Sequence, residues 1–127
     1  MHSMMDVLGD PVLKAIGRSF AMIEFDPQGT VLSCNDIFLS AMGYARPEVI
    51  GKRHAMFMPK DAVSSQAYAD FWTDLASGKA RSGEFKRIAK GGRTVWIQAS
   101  YSPVVGRTGA VKKIVKVAAD ITEAKGI

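Results

Sequence analysis

Between Gly83 and Val104 the chain alternates apolar and polar residues around a Lys90-Gly91-Gly92-Arg93 break. That pattern predicts two strands of a hairpin, with the glycine pair supplying the positive φ angles of a tight turn. In the second run Val95, Ile97, Ala99 and Tyr101 share one face, and Trp96, Gln98 and Ser100 share the other. A third strand over Val111–Ala119 follows the Gly106-Arg107-Thr108-Gly109 turn. In the first half, Phe20–Phe25 and Thr30–Cys34 flank Asp26-Pro27-Gln28-Gly29, which reads as a second hairpin. Asn35 is placed to cap a helix over Asp36–Met42 that Gly43 ends. Single helical turns are expected over Pro47–Ile50 and His54–Met58. A longer helix is expected from Asp61, its cap, to Ser77, because Val63, Ala67, Phe71 and Leu75 recur at i+4 and Gly78 stops the run. Pro11–Arg18 reads as a short amphipathic helix with Val12, Leu13 and Ile16 on one side.

Two strands, several short helices, one longer helix and three strands make an α+β architecture with the helices on one face of an antiparallel sheet. All the helices but the first fall between strands two and three, so a concave interior is expected, which is a natural small-molecule site. At 127 residues the chain is read as one domain, with residues 1–18 a tail and cap helix, 19–122 the domain, and 123–127 the start of a linker. No apolar run reaches the ~18 residues of a membrane span. The start lacks the pattern of a secretory signal, so a cytoplasmic location is expected. The single cysteine, Cys34, excludes an internal disulfide. A net charge of +5 invites a nucleic-acid partner, but the basic residues are scattered without a recognition helix or a basic run.

Catalytic patterns are absent. There is no nucleophile elbow, phosphate loop, His-Glu-x-x-His or paired carboxylate, so no enzymatic activity is expected. His54, the one internal histidine, stands either on a cavity wall or as a satisfied structural imidazole. Asn35 is explained by capping, with ligand contact as the other reading. Gln98 sits in mid-strand, where a buried amide would need partners such as a ligand edge and a solvent-facing one would not. Met22, Met42, Met56 and Met58 suit core filling or an adaptable pocket. Asp120 and Thr122 close the last strand, where their side chains can bond the backbone at the chain's exit. The last strand carries apolar residues on both faces, so the outer face is expected to make a homodimer.

The order of elements, with Asn35-Asp36-x-Phe38, Gly43-Tyr44, Glu48-Val49-Ile50-Gly51-Lys52, Trp96 and Asp120-Ile121-Thr122, resembles a PAS domain over residues 19–122. Within that superfamily the chain is most similar to the PAS modules of bacterial chemoreceptors of the methyl-accepting chemotaxis and aerotaxis type. The residues carrying this are Gly51-Lys52-Arg53-His54-x-Met56, Tyr68-Ala69-Asp70-Phe71-Trp72-x-x-Leu75-x-x-Gly78, Ser82-Gly83-x-Phe85-Lys86-Arg87 and the strand Val95–Pro103. The resemblance implies a five-stranded sheet, a sensory role without catalysis, and relay through Asp120 and Thr122 to a C-terminal signalling region. It implies flavin, as FAD, as the favoured cofactor, with Trp72 in the place associated with the flavin site and His54, Asn35, Gln98, Met56 and Phe57 as further contacts. Haem b is the alternative, with His54 or Met58 as the axial ligand because the long helix holds no histidine. A cofactor-free interaction module that dimerises through its sheet is a third reading. Relatives that bond flavin through a cysteine carry it where this chain has His54, so that photochemistry is not implied.

Overall fold

The sheet begins at a turn that Asp26-Pro27-Gln28-Gly29 builds from its own side chains. In the computed structural model, which describes residues 17–126 together with Pro11 and Ala15, the Asp26 carboxylate accepts the amides of Gln28 and Thr30 at 2.9 Å. Gly29 takes φ +91°, a left-handed value open to a residue without Cβ. The turn joins β1 (Ala21–Phe25) to β2 (Val31–Cys34). β3 (Arg81–Ile88), β4 (Thr94–Val105) and β5 (Val111–Asp120) form the meander. The glycine pair behaves as expected, with Gly91 and Gly92 at φ 85° and 93° between β3 and β4.

All pairings are antiparallel, and the five strands run in the order β2-β1-β5-β4-β3. The last strand therefore lies in the middle and joins the first hairpin to the meander. The helices cover one face, as the sequence pattern predicts.

Two helices lie between β2 and β3. α1 (Asp36–Met42) has the span read from the sequence, and Gly43 ends it in the left-handed region. α2 (Gln66–Ala76) starts later than expected. Its cap is Ser65, whose hydroxyl accepts the Tyr68 amide at 3.1 Å, and not Asp61. Residues 59–65 form successive turns closed by Ala62 N–H to Pro59 O and Ser65 N–H to Ala62 O. Val63, the first member of the apparent i+4 series, is exposed, while Phe71 and Leu75 are buried. Two short 3-10 turns, Arg46–Glu48 and His54–Phe57, stand at the predicted places. The apolar side of the helix expected over Pro11–Arg18, which is Val12, Leu13 and Ile16, lies outside the described residues.

The core forms where the helices meet the sheet. Ile23 and Phe25 of β1, the alternating Val95, Ile97, Ala99 and Tyr101 of β4, and Ile114 and Ala118 of β5 face Phe38, Phe57, Phe71 and Leu75. On the other sheet face Gln98, Ser100 and Ser102 are exposed, whereas Met22 and Glu24 are buried. Glu24 there accepts Lys113 Nζ at 2.7 Å and Ser33 Oγ at 2.6 Å.

Asn35 locks the entry to α1. Its Oδ1 accepts the amides of Phe38 and Met22, and its Nδ2 donates to the carbonyls of Gly17 and Phe20. Asn35→Ala should therefore lower unfolding free energy by about 2 kcal/mol, since a cap is lost and the Met22 amide loses its side-chain partner. Urea unfolding measures it, and a change below about 0.5 kcal/mol would show that the cap is dispensable.

Candidate functional site

A backbone ladder places His54. Gly51 N–H donates to Val31 O, Val31 N–H to Lys52 O and His54 N–H to Gly29 O, at 2.8–2.9 Å. The segment before His54 is thus held along the first hairpin, and the imidazole turns inward at the start of its 3-10 turn. It is 1% exposed. Phe25 and Trp72 meet it edge-on with centroids 5.3 Å away, and Tyr68 stacks on it at 5.7 Å.

Both ring nitrogens are engaged. Nδ1 lies 2.7 Å from the Tyr68 hydroxyl on α2, and Nε2 lies 2.9 Å from the Tyr101 hydroxyl on β4. Arg87 of β3 donates from Nη2 to the same Tyr101 oxygen at 3.0 Å and from Nη1 to Lys86 O at 2.9 Å. Its Nε is buried without a partner. Lys116 of β5 completes the inner face, with Nζ 5.1 Å from the Tyr101 ring centre and 5.9 Å from that of Phe38.

Burial and positive neighbours set the protonation states. Burial first, then the charges of Arg87 and Lys116, push His54 well below its ordinary pKa, so the imidazole is neutral. Burial, then Arg87, likewise pushes Lys116 well below the usual lysine value. Burial raises the hydroxyls of Tyr101 and Tyr68. The buried carboxylate among the described residues, Glu24, lies on the opposite sheet face, so nothing acidic is buried beside this cluster.

His54 and Trp72 come together as expected. With Tyr68, Arg53 and the Gln28-Gly29 turn they line a pocket of about 210 Å³ between the first hairpin and α2. The indole N–H of Trp72 lies near enough to the Tyr68 hydroxyl to favour its ionised form but not in hydrogen-bond geometry, and it is buried without a partner. Phe57 is buried against Phe38 and Tyr44, and Met56 is half-buried beside it; neither lines this pocket. Asn35 is fully engaged in the cap described above. Gln98 is exposed on the far face and donates to Gly83 O at 3.1 Å, the solvent-facing position that alternation from Tyr101 requires. Thr122 Oγ1 accepts the Trp96 amide and Asp120 Oδ1 accepts the Thr122 amide, both at 2.9 Å, which ties off β5.

Tyr68, Tyr101, Arg87, Lys116 and Arg53 are site residues that sequence reasoning missed. A signal existed for several of them. Tyr68 precedes Trp72 by one helical turn, and Lys116 falls in step with buried Ile114 and Ala118. Among the described residues no cluster of three or more metal-ligating side chains occurs. His54 has no nitrogen left for iron, since a neutral imidazole offers one donor and one acceptor and both are used.

Comparison with known proteins places this geometry. The sequence matches the family described as the PAS fold over residues 31–118. It is 42% identical over 111 residues to the biofilm dispersion protein BdlA of Pseudomonas aeruginosa, covering 87% of this chain and 27% of that one. It is 34% identical over 80 residues to the aerotaxis receptor of Escherichia coli, covering 63% of this chain and 16% of the receptor. The chain thus spans about a quarter of one curated relative and a sixth of the other. A light-oxygen-voltage domain studied with a flavin analogue superimposes with a TM-score of 0.74 at 21% identity, covering 93% of this chain and 90% of that domain. At that identity the likeness concerns the fold.

The depressed His54 pKa has a signed consequence. Unfolded histidine takes its proton near pH 6.5 and the folded one does not, so the His54 contribution to stability is complete above about 6.5 and is lost as pH drops below it. The slope should approach 1.4 kcal/mol per pH unit between pH 6 and 5. Urea unfolding at pH 7.5, 6 and 5 should show the loss. His54→Gln, which keeps a donor and an acceptor but cannot charge, should lower the slope by that amount; an equally steep profile in the variant would assign it to other groups such as Lys116.

Proposed function

The chain belongs to the PAS family, and on that premise we propose that it is the cytoplasmic sensory module of a bacterial chemotaxis or energy-taxis protein. It binds a small molecule beside α2, does no chemistry on it, and passes the event to a C-terminal signalling region. The observation that carries this reading is the connection between pocket and sheet. Tyr68 lines the pocket, and its hydroxyl is joined through His54 to Tyr101 in the middle of β4. A ligand that shifts Tyr68 therefore acts on a strand paired with β5, whose end leads out of the domain. The names of the two curated relatives, an aerotaxis receptor and a biofilm dispersion protein, agree with a signalling role. A non-enzymatic role is supported by His54, whose nitrogens are both tied and whose charged form is disfavoured. No helix among the described residues is long and apolar enough to cross a membrane.

FAD does not fit the packing around this site. The pocket of about 210 Å³ is below the ~300 Å³ at which small-molecule sites usually begin. The space between α2 and the sheet is filled by Phe25, His54, Phe71 and Tyr101, with Phe71 and Tyr101 centroids only 4.8 Å apart. Haem b fares no better, because His54 lacks a free lone pair and the same rings occupy the interior. We read the ligand as smaller than either. A visible spectrum of the purified protein should show neither flavin bands nor a Soret band, and the appearance of either would overturn this reading of the ligand.

The outer sheet face supports a homodimer. Val115, Val117 and Ala119 form a half-buried strip there, paired with Ser102, Ser100 and Gln98 of β4, and Lys125 Nζ stands 4.7 Å over the ring of Trp96 on the same face. A cofactor-free dimerisation module is the second reading that this strip favours. Mass measurement at high micromolar concentration should give a dimer, and a strict monomer would end the proposal. For the exit, Asp120→Ala in a protein that carries the signalling region should abolish output while leaving ligand affinity within about twofold. Equal loss of both would make Asp120 a folding residue.

A further inference from the structure

We propose that the pocket between the β1–β2 turn and α2 takes a compact organic carboxylate, an apolar body packed on Trp72 with one negatively charged acceptor group held by Tyr68 and Arg53. This deepens the small-molecule reading above and rests on it.

The argument starts from the direction of the hydrogen-bond chain. Arginine only donates, so the Tyr101 oxygen accepts from Arg87 Nη2. Among the described residues the Tyr101 hydroxyl has no other hydrogen-bond partner, so its proton goes to His54 Nε2. A neutral imidazole bonded in that way carries its own proton on Nδ1 and donates it to the Tyr68 oxygen. The Tyr68 hydroxyl proton is then the free end of the chain, at the wall of the pocket. One fixed cation, Arg87, thus orients three groups in series and delivers a donor to the pocket.

The other groups around the pocket narrow the choice. The Trp72 indole N–H is sealed from solvent behind the pocket wall, so the ring meets an occupant through carbon only. Arg53 stands exposed at the rim and forms no ion pair among the described residues. Its charge acts on the Tyr68 hydroxyl, favouring the ionised form. No acidic side chain lines the pocket. The two nearest in sequence are already bonded, Asp70 to the Gln66 side chain and Asp26 to the Gln28 and Thr30 amides. A site offering a hydroxyl proton and a guanidinium calls for an acceptor, and the positive charge calls for an anion.

Size and lining fix the rest. An apolar cavity of about 150 Å³ accommodates benzene, so the 210 Å³ here suits one ring with a carboxylate. Ala55, Ala69 and the face of Trp72 supply apolar walls. Bare inorganic anions would leave those walls unfilled, whereas a nucleotide would exceed the volume.

The test uses benzoate, benzamide and benzylamine, which share a ring and differ in the charge and hydrogen-bonding of the substituent. Each is titrated at constant ionic strength into the ¹⁵N-labelled chain. The signal is the Trp72 indole N–H resonance, assigned by its loss in Trp72→Phe. Benzoate should move it saturably and bind at least fivefold tighter than benzamide, while benzylamine should not saturate. Tyr68→Phe and Arg53→Gln should each weaken benzoate about tenfold, the worth of one charge-assisted hydrogen bond. The ¹⁵N spectrum itself reports whether each variant is folded. Benzamide or benzylamine binding as tightly as benzoate would overturn the anion proposal and leave the small-molecule pocket standing. Benzoate binding unchanged in both variants would likewise overturn it. Saturation by none of the three would overturn the proposal and the pocket reading together.

Discussion

The structure depends on a neutral imidazole held by two phenols. Tyr68 comes from α2 and Tyr101 from β4, while the backbone of His54 is laddered onto the first hairpin. Three parts of the chain thus meet at one ring that has a single donor and a single acceptor. Such a ring tolerates no substitution of one kind of partner for another, because a second donor or a second acceptor would leave a buried group unmatched. The surrounding rings of Phe25, Phe71 and Trp72 enclose it, and the edge-on contacts of Phe25 and Trp72 with the stacked contact of Phe71 define where the imidazole can lie. Hydrogen bonding gives this core its specificity, and the aromatic burial around it supplies most of its stabilisation.

The two faces of the sheet handle buried charge in different ways. On the outer face Lys113 is neutralised by Glu24 in a hydrogen-bonded ion pair. On the inner face Arg87 and Lys116 have no buried carboxylate and lie against aromatic rings, with Arg87 4.9 Å from the Phe85 ring centre. Ring faces partly offset the lost hydration of a cation, but less completely than a carboxylate does. The inner face is therefore electrostatically unsaturated, and that is the physical setting in which His54 is neutral and the pKa of Lys116 is pushed down.

Much of this was legible in the sequence, and the residues show why the rest was not. Period-two alternation placed Tyr101 and Val95 inward because β4 is long and regular. The same rule placed Gln98 outward, and it should have outweighed the appeal of a mid-strand amide. Asn35 and Gly43 fixed α1 because capping chemistry is local. The start of α2 was misplaced because Val63 completes an i+4 series by coincidence, and only the Ser65 hydroxyl bonded to Tyr68 N–H shows where the helix begins. Arg87 and Lys116 escaped notice because a basic residue in a strand reads as surface. Their burial follows from tertiary register, which pairs Lys116 with Tyr101 on one side and Ile23 on the other.

The strand order has a consequence for how such a chain is made. β5 pairs with both β1 and β4, so it alone converts a hairpin and a meander into one sheet. Until the ribosome has released the stretch from Val111 to Asp120, β1 and β4 each present an unpaired edge, and the inner cluster lacks Lys116. Pairings of such high sequence separation form slowly, and open edges of this kind invite association with other chains in the interval. In a longer protein, whatever follows Asp120 would begin to emerge just as the sheet closes. A segment following β5 would then be joined to the sheet at the moment the sheet first closes.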